Sequence, residues 1–396
     1  MAGAGLATLL IAVVASAFMA WSIGAGSSGS TPFAPAVGAN AIPVMRAGFV
    51  VGLLGLAGAV LQGANISEAV GRELIRNVTL SPIAATVALL TAAGLVAFGV
   101  YTGYPIATAF TVTGAVVGTG LALGGAPAWA KYREIVTLWT SVPFVGGGVA
   151  YATARLLIRA DRDRLITPFL GALVGLILAN VRFVLLGPAG VGRSMAQIIG
   201  RSLPLGSTAA TALVSVAIAV LIGIVLERDV ARDPARGQQH FLLALGALVA
   251  FSAGGSQVGL AVGPLLPLSA VDAIPLPYVL FGGGLGLLVG SWTGAPRMIK
   301  ALSQDYSSLG PRRSIAALIP SFAIAQTAVF FGIPVSFNEI IVSAIVGAGY
   351  AGASGGGGGV SRAKMGYTVL AWVGSLLLAI GVGFAAYTAV NALGLA

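Results

Sequence analysis

The residues best suited to chemistry lie in a short polar stretch, Gly24-Ala25-Gly26-Ser27-Ser28-Gly29-Ser30-Thr31, closed by Pro32 and Pro35. Glycine lets backbone N–H groups approach a ligand closely, and the Ser and Thr hydroxyls beside them can donate or accept. Placed before a helix, such groups can converge on the oxygens of an anion without a formal positive charge. Ser27, Ser28, Gly29, Ser30 and Thr31 are therefore candidate ligand-binding residues. A second Gly/Ser stretch, Gly254-Gly255-Ser256-Gln257, ends at Gly263-Pro264 and adds Gly255, Ser256 and Gln257. Two more polar clusters follow Gly-X-Pro turns. Thr108 and Thr111 follow Gly103-Tyr104-Pro105, and Ser336, Asn338 and Glu339 follow Gly332-Ile333-Pro334.

The surroundings of these residues set what they can do. Hydrophobic residues make up 57% of the 396, charged residues 8%, and the mean hydropathy is +0.99. Soluble domains carry about 25% charged residues, so this is an all-helical polytopic membrane protein. There is no cysteine and one histidine, His240. That excludes thiol chemistry and a multi-histidine metal centre, and no nucleophile–base pair suggests an enzyme. The net charge of +10 does not indicate nucleic acid, because the basic residues sit in short segments between apolar runs. In a membrane segment a carboxylate is costly and by default functional. Glu339 could accept a hydrogen bond from a protonated anion, or it could carry a proton or ligate a cation. No organic or metal cofactor is expected.

Apolar stretches run over 4–22, 44–66, 81–101, 105–122, 134–158, 165–185, 205–226, 241–260, 275–294, 313–331, 335–350 and 366–392, about 12 membrane segments. A helix needs about 20 residues to span the hydrocarbon, and 105–122 and 335–350 fall short. Each is expected to form a helical hairpin with the stretch before it, 81–122 and 313–350. Gly103 and Gly332 are 229 positions apart, and so are Gly26 and Gly255 (26 to 255). Gly55-Leu56 and Gly284-Leu285 keep that offset, and Trp139 and Trp372 stand in the last helix of each half. Polar break, helix, hairpin and helix recur in one order, which indicates duplication. The expected organisation is a first repeat over 1–160 with its break at 24–38, a linking helix pair and charged loop over 161–240, and a second repeat over 241–396 with its break at 252–265. Corresponding interrupted segments in two halves are the best sequence pointer to a transporter's substrate site.

Charge distribution supplies the orientation. Loop 67–80 balances Glu68 and Glu73 against Arg72 and Arg76, whereas 295–313 holds Arg297, Lys300, Arg312 and Arg313 against Asp305. Segments 155–164 and 227–240 are also basic. The positive-inside rule puts these three inside and 67–80 outside, which makes the repeats inverted and leaves both termini outside. Arg46 is expected to snorkel, and Arg182 to pair across a subunit interface or approach the ligand path. Asp272 is expected to be solvated, and 351–365 to be a flexible linker.

These motifs resemble the inorganic phosphate transporter family, also called phosphate permeases. That family has two copies of Gly-Ala-Asn-Asp-X-Ala-Asn-Ala, each followed by a helix and then a hairpin carrying Gly-Leu-Pro-Val-Ser-Thr-Thr-His. Phe251 to Leu265 follows the second motif without gaps, and Ala36-Val37-Gly38 matches the end of the first. Gly332-Ile333-Pro334-Val335-Ser336 and Gly103-Tyr104-Pro105-Ile106 match the hairpins. The departures fall on polar positions. Ser27-Ser28 and Ser256-Gln257 stand for the two Asn-Asp pairs, and Thr31 and Leu260 for the later Asn residues. Ala107-Thr108-Ala109-Phe110 and Ser336-Phe337-Asn338-Glu339 stand for the two Ser-Thr-Thr-His runs. The resemblance implies an inverted-repeat secondary transporter, a homodimer in the plasma membrane, moving inorganic phosphate with Na+ or H+. The same scaffold could serve as a permease for sulfate or another oxyanion, or as a passive anion channel. Thr108, Thr111, Ser336 and Asn338 would complete an anion cage. Glu339, Ser27, Ser256 and Gln257 would serve the coupling ion or proton.

Overall fold

A backbone that crosses hydrocarbon must satisfy its own hydrogen bonds, and helices do so locally. The computed structural model describes residues 2–159, 163–187, 192–305, 309–352 and 362–395, and helix dominates it. The chain begins with α1 (Ala2–Ile23), a π-helical turn (Gly24–Ser28), α2 (Ala34–Gly38), α3 (Val44–Gln62) and α4 (Ala64–Glu68). A second π-helical turn (Ala69–Glu73) and strand β1 (Ile75–Arg76) lead to α5 (Pro82–Thr102), α6 (Thr108–Ala122), β2 (Ala126–Pro127) and α7 (Trp129–Arg159). The linking segment holds α8 (Asp163–Asn180), β3 (Arg182–Phe183), β4 (Arg193–Ser194), α9 (Met195–Gly200) and α10 (Ser207–Arg232). Then come α11 (Pro234–Val262), a 3-10 turn (Gly263–Leu265), α12 (Ser269–Asp272), α13 (Leu276–Thr293) and α14 (Ala295–Asp305). The chain closes with α15 (Pro311–Phe331), α16 (Phe337–Gly352) and α17 (Arg362–Ala392). Strands β1 and β2 pair antiparallel, as do β3 and β4.

Among the described residues nine helices are long and apolar enough to cross a membrane, and three shorter apolar helices bring the total to the expected dozen. Two of the short ones are α6, with 15 residues, and α16, with 16. At about 1.5 Å per residue they cannot cross the hydrocarbon, so each must start or stop within the bundle. Both expected hairpins form. Gly103 and Gly332 end α5 and α15 in the left-handed region, at φ 78° and 62°, where a side chain would be strained. The hairpins are braced in matching fashion. Trp372 Nε1 donates to the Pro105 carbonyl at 2.8 Å, and Trp139 Nε1 donates to the Pro334 carbonyl at 2.9 Å. Each hairpin helix lies along the last helix of the other half, α6 on α17 and α16 on α7. Likewise α1 packs on α5 and α13, while α11 packs on α15 and α3.

The structure corrects several local expectations. The polar stretch 252–265 does not break its helix, because α11 continues to Val262 and only Gly263–Leu265 departs. Glycine costs a helix about 1 kcal/mol, but packing outweighs that here. A Cβ on Gly254 would collide with the Gly55 carbonyl, and one on Gly58 with the Phe251 carbonyl, so α3 and α11 meet backbone to backbone. The first stretch, 24–38, is a true interruption: α1 runs on through its π turn before the chain turns at 29–33.

The charged segment 227–240 is not a loop. Asp233 Oδ1 accepts from the Ala235 and Arg236 N–H groups at 3.0 and 3.2 Å, and Pro234 starts α11 behind it. The boundary expected at 240/241 therefore falls inside a helix. Segment 295–313 contains α14, which buries Met298, Ile299 and Leu302. Asp272 is exposed, as expected, and its Oδ1 also lies 2.6 Å from Arg72 Nη2. Arg46 is exposed, as expected of a snorkelling side chain. The central part of the expected linker, 353–361, and Arg162 lie outside the described residues.

The α3–α11 seam yields a prediction. Gly254→Ala should lower stability in detergent by about 1–3 kcal/mol through overpacking. Gly282→Ala, where an added Cβ meets nothing within 4 Å, should change it by less than about 0.5 kcal/mol. Thermal melting of the two variants checks this, and equal melting points would contradict the close approach.

Candidate functional site

Four segments meet at one buried polar centre: the π turn after α1, α11 at Ser256-Gln257, and the first turns of α6 and α16. Ser27, Thr108, Ser256, Gln257 and Ser336 are fully buried, and Asn338 and Glu339 are 1% exposed. Gln257 is the hub. Its Oε1 accepts from Thr108 Oγ1 at 2.7 Å and from Ser27 Oγ at 3.3 Å, and its Nε2 donates to the Val335 carbonyl at 2.7 Å. Asn338 is the second brace. Its Nδ2 donates to the Ile106 carbonyl at 2.6 Å and to the Gly26 carbonyl at 3.0 Å. Ser27, Thr108, Gln257 and Asn338 thus tie all four segments together.

Other groups at the centre have no partner among the described residues. The buried Ser256 Oγ, Ser336 Oγ, Asn338 Oδ1 and Glu339 Oε2 make no hydrogen bond there. The first N–H groups of a helix have no intrahelical acceptor. Ala107, the residue before α6, offers no side-chain cap, and the Ser336 hydroxyl before α16 caps nothing. Two helix N-termini with uncapped donors therefore sit at the centre, each carrying a partial positive charge. Glu339 lies in the first turn of α16.

The remaining candidates separate from this group. Ser28 Oγ bonds back to the Ile23 carbonyl at 3.5 Å, and Thr111 Oγ1 to the Ala107 carbonyl at 2.9 Å. Ser30 Oγ and Thr31 Oγ1 both donate to the Ser27 carbonyl, at 3.2 and 3.0 Å. These hydroxyls serve their own backbone. Gly29 and Gly255 are packing residues: a Cβ would strike the Gly24 carbonyl at the first and the Gln62 side chain at the second. The expectation that 26–31 offers N–H donors ahead of a helix is corrected. These residues close the C-terminal end of α1, where carbonyls are left over, and α2 behind them has only five residues. The donors come instead from α6 and α16.

A second polar group escaped the sequence. Gln62 and Gln326 pair amide to amide at 3.2 Å in both directions. Gln326 Nε2 also donates to Ser252 Oγ at 2.6 Å, and Gln62 Nε2 to the Arg182 carbonyl at 3.0 Å. The signal available was a pair of uncharged amides inside apolar stretches. Gln62 and Gln326 line a cavity of about 630 Å³ together with Arg182, whose guanidinium lies 4.4 Å from the centre of the Phe330 ring. His240 Nδ1 lies 2.8 Å from Asp229 Oδ2 at the surface. Among the described residues no three His, Cys, Asp or Glu side chains gather as a metal site.

Comparison with known proteins places this architecture. A family model described as the phosphate transporter family matches residues 23–383. A Thermococcus kodakarensis protein, provisionally named a phosphate permease, is 23% identical over 371 residues, covering 87% of this chain and 88% of its own length. An Arabidopsis thaliana chloroplast inorganic phosphate transporter is 25% identical over 385 residues, covering 84% of this chain and 64% of its own. A solved structure of a sodium-dependent phosphate transporter superposes with a TM-score of 0.81 at 21% identity, covering 98% of this chain and all of that one.

The hub geometry predicts unequal costs for two small substitutions. Thr108→Val removes the short bond to Gln257 and should cost about 1–3 kcal/mol of stability. Ser27→Ala removes only longer contacts and should cost less than about 1 kcal/mol. Denaturation of the purified variants in micelles measures both, and a larger loss from Ser27→Ala would mean that Gln257 is not the hub.

Proposed function

The chain belongs to the phosphate transporter family, and from that premise we propose that it is a secondary active transporter carrying inorganic phosphate by alternating access. The observation that carries this reading is the pair of uncapped N-termini, α6 and α16, beside unpartnered Ser256 and Ser336 hydroxyls. Tetrahedral phosphate has oxygens enough to accept from both helix ends at once. Entry of the anion would exchange some bonds among Ser27, Thr108, Gln257 and Asn338 for bonds to its oxygens.

The two halves act as inverted repeats in this proposal. The matched Trp139–Pro334 and Trp372–Pro105 bonds and the reciprocal docking of hairpin helices support it. Rocking of one half against the other would open the centre to each side in turn. A homodimer in the plasma membrane, with both termini outside, belongs to the same reading.

Coupling is assigned to Glu339. It is the only carboxylate among the residues named at the centre, and its Oε2 has no partner. A buried unpaired charge is expensive, so a proton or Na+ taken up there stabilises the loaded state. The solved relative is named sodium-dependent.

Uptake of labelled phosphate and sulfate into proteoliposomes, with imposed Na+ or H+ gradients, tests the proposal. Concentrative phosphate uptake driven by one gradient is expected, and uptake that never exceeds equilibrium would leave a passive channel. Glu339→Gln should flatten the pH dependence if the proton is coupled. If Na+ is coupled, it should abolish the Na+ dependence. A variant that responds to both ions as the wild type does would remove Glu339 from coupling.

A further inference from the structure

A strongly basic cavity lies away from the centre. It forms where α8 ends, β4 and α9 cross over, and α10 begins, and its volume is about 990 Å³. Arg182, Arg193 and Arg201 line it, and among the described residues no Asp or Glu does. The whole segment 181–206 contains these three arginines and no acidic residue. Among the described residues none of the three makes an ion pair.

Basic residues elsewhere behave differently. Arg72 is paired with Glu68 at 3.1 Å and Asp272 at 2.6 Å, and Lys131 with Glu73 at 2.8 Å and Glu134 at 3.5 Å. Positive charge there is balanced in place. In 181–206 it is not. Nor does topology account for it, because the threading that puts 155–164, 227–240 and 295–313 inside puts this segment outside. The Arg182 guanidinium carbon lies 4.4 Å from the centre of the Phe330 ring, a cation–π contact that leaves its N–H donors for a ligand.

We propose that this cavity is a collecting site for a phosphate-type oxyanion, which passes from it toward the buried centre. The proposal rests on the transport reading above for its direction, but the cavity's anion chemistry stands on its own residues. The cavity shares Asn180, Arg182 and Gly192 with the 630 Å³ cavity next to it. The Gln62–Gln326 pair lines that second cavity, and Gln326 bonds Ser252, one helical turn before Ser256 on α11. Arginine forks, a polar amide pair and the centre thus form a series. Three uncompensated guanidinium groups raise the local anion concentration, and that effect is screened by salt.

Two sources could supply such an oxyanion: free phosphate, or the headgroup of an anionic phospholipid. Phosphate uptake by reconstituted protein in phosphatidylcholine vesicles separates the possibilities. Arg→Gln at 182, 193 and 201, singly and together, is compared with the matching Arg→Lys set. The triple Gln variant should raise the phosphate KM about three- to tenfold, with a smaller change in maximal rate. Its KM should also lose the ionic-strength dependence of the wild type, and the triple Lys variant should retain most of both. Arg193→Gln and Arg201→Gln alone keep the test available if the contact of Arg182 with Phe330 is needed for folding. A triple Gln variant with wild-type KM and wild-type salt response overturns the proposal.

Calorimetric titration of inorganic phosphate into protein in phosphatidylcholine nanodiscs reads the site without turnover. The wild type should show a binding event that the triple Gln variant lacks. Retention of added phosphatidylglycerol by the wild type but not the variant, with no phosphate heat, would assign the cavity to a lipid headgroup and overturn the hand-over. Absence of uptake by the wild type would count against transport, and the titration would still decide the cavity.

Discussion

A helix that stops inside an apolar bundle leaves backbone groups that only the protein or its ligand can satisfy. This chain stops or starts helices there repeatedly: α1 at its π turn, α5 and α15 at the hairpin tips, α6 and α16 just beyond them. Five carbonyls exposed by these interruptions, those of Gly26, Pro105, Ile106, Pro334 and Val335, each receive a side-chain N–H. Two amides, Gln257 and Asn338, and two indoles, Trp139 and Trp372, supply them. The N-terminal side is treated differently, because α6 has no side-chain cap and the Ser336 hydroxyl caps nothing on α16. These backbone acceptors are thus consumed internally while helix N–H donors are left over, beside two side-chain acceptors, Asn338 Oδ1 and Glu339 Oε2, that no described residue satisfies. On the proposed reading, that backbone imbalance, rather than any one residue, suits the centre to an anion.

The same bonds hold the halves together. Thr108 to Gln257, Asn338 to Gly26 and Ile106, Trp139 to Pro334 and Trp372 to Pro105 all run from one half of the chain to the other. Each contributes about 0.5–1.5 kcal/mol net, so the set amounts to a few kcal/mol. Conformations that are both measurably populated are separated by gaps of that size. On the proposed reading, phosphate loosens this set by offering its own oxygens to the same donors. The α3–α11 seam, where glycines bring backbone against backbone, is by contrast a contact that has no side-chain slack to give.

Much of the fold was legible because membrane spans depend on long apolar runs, which composition records directly. The hairpins were legible for a local reason: Gly103 and Gly332 can adopt a positive φ, and the following prolines cannot continue a helix. The paired Trp139 and Trp372 were visible as matching positions, although their bonds to the opposite hairpins were not. What misled was propensity. Gly254, Gly255 and Ser256 read as a break, yet α11 passes through them because their small size lets α3 approach. The first polar stretch read as the approach to a helix N-terminus, and only the structure shows that it presents a helix C-terminus. The helix starts within 227–240 and 295–313 hid behind their charge. The Gln62–Gln326 pair and the cavity beside it depend on helices far apart in the chain, which a local reading does not join.

On the proposed reading, charge balance at the centre gives one carboxylate, Glu339, its weight. A helix N-terminus carries roughly half a positive charge, so α6 and α16 together offset about one negative charge. Phosphate brings one or two, and an ionised Glu339 would add another at the same helix end. On the proposed reading the centre cannot hold the dianion beside ionised Glu339 unless a positive charge enters with it. Ser28 and Gln257, in matching places of the two halves, contribute none. Phe110 occupies the place in the first hairpin that Glu339 occupies in the second, and it is spent on packing, stacked on Trp139 with ring centres 3.8 Å apart. On the proposed reading the burden of balancing the cargo therefore falls on one hairpin, which makes the second half the sensing half and leaves the first to shape the cage.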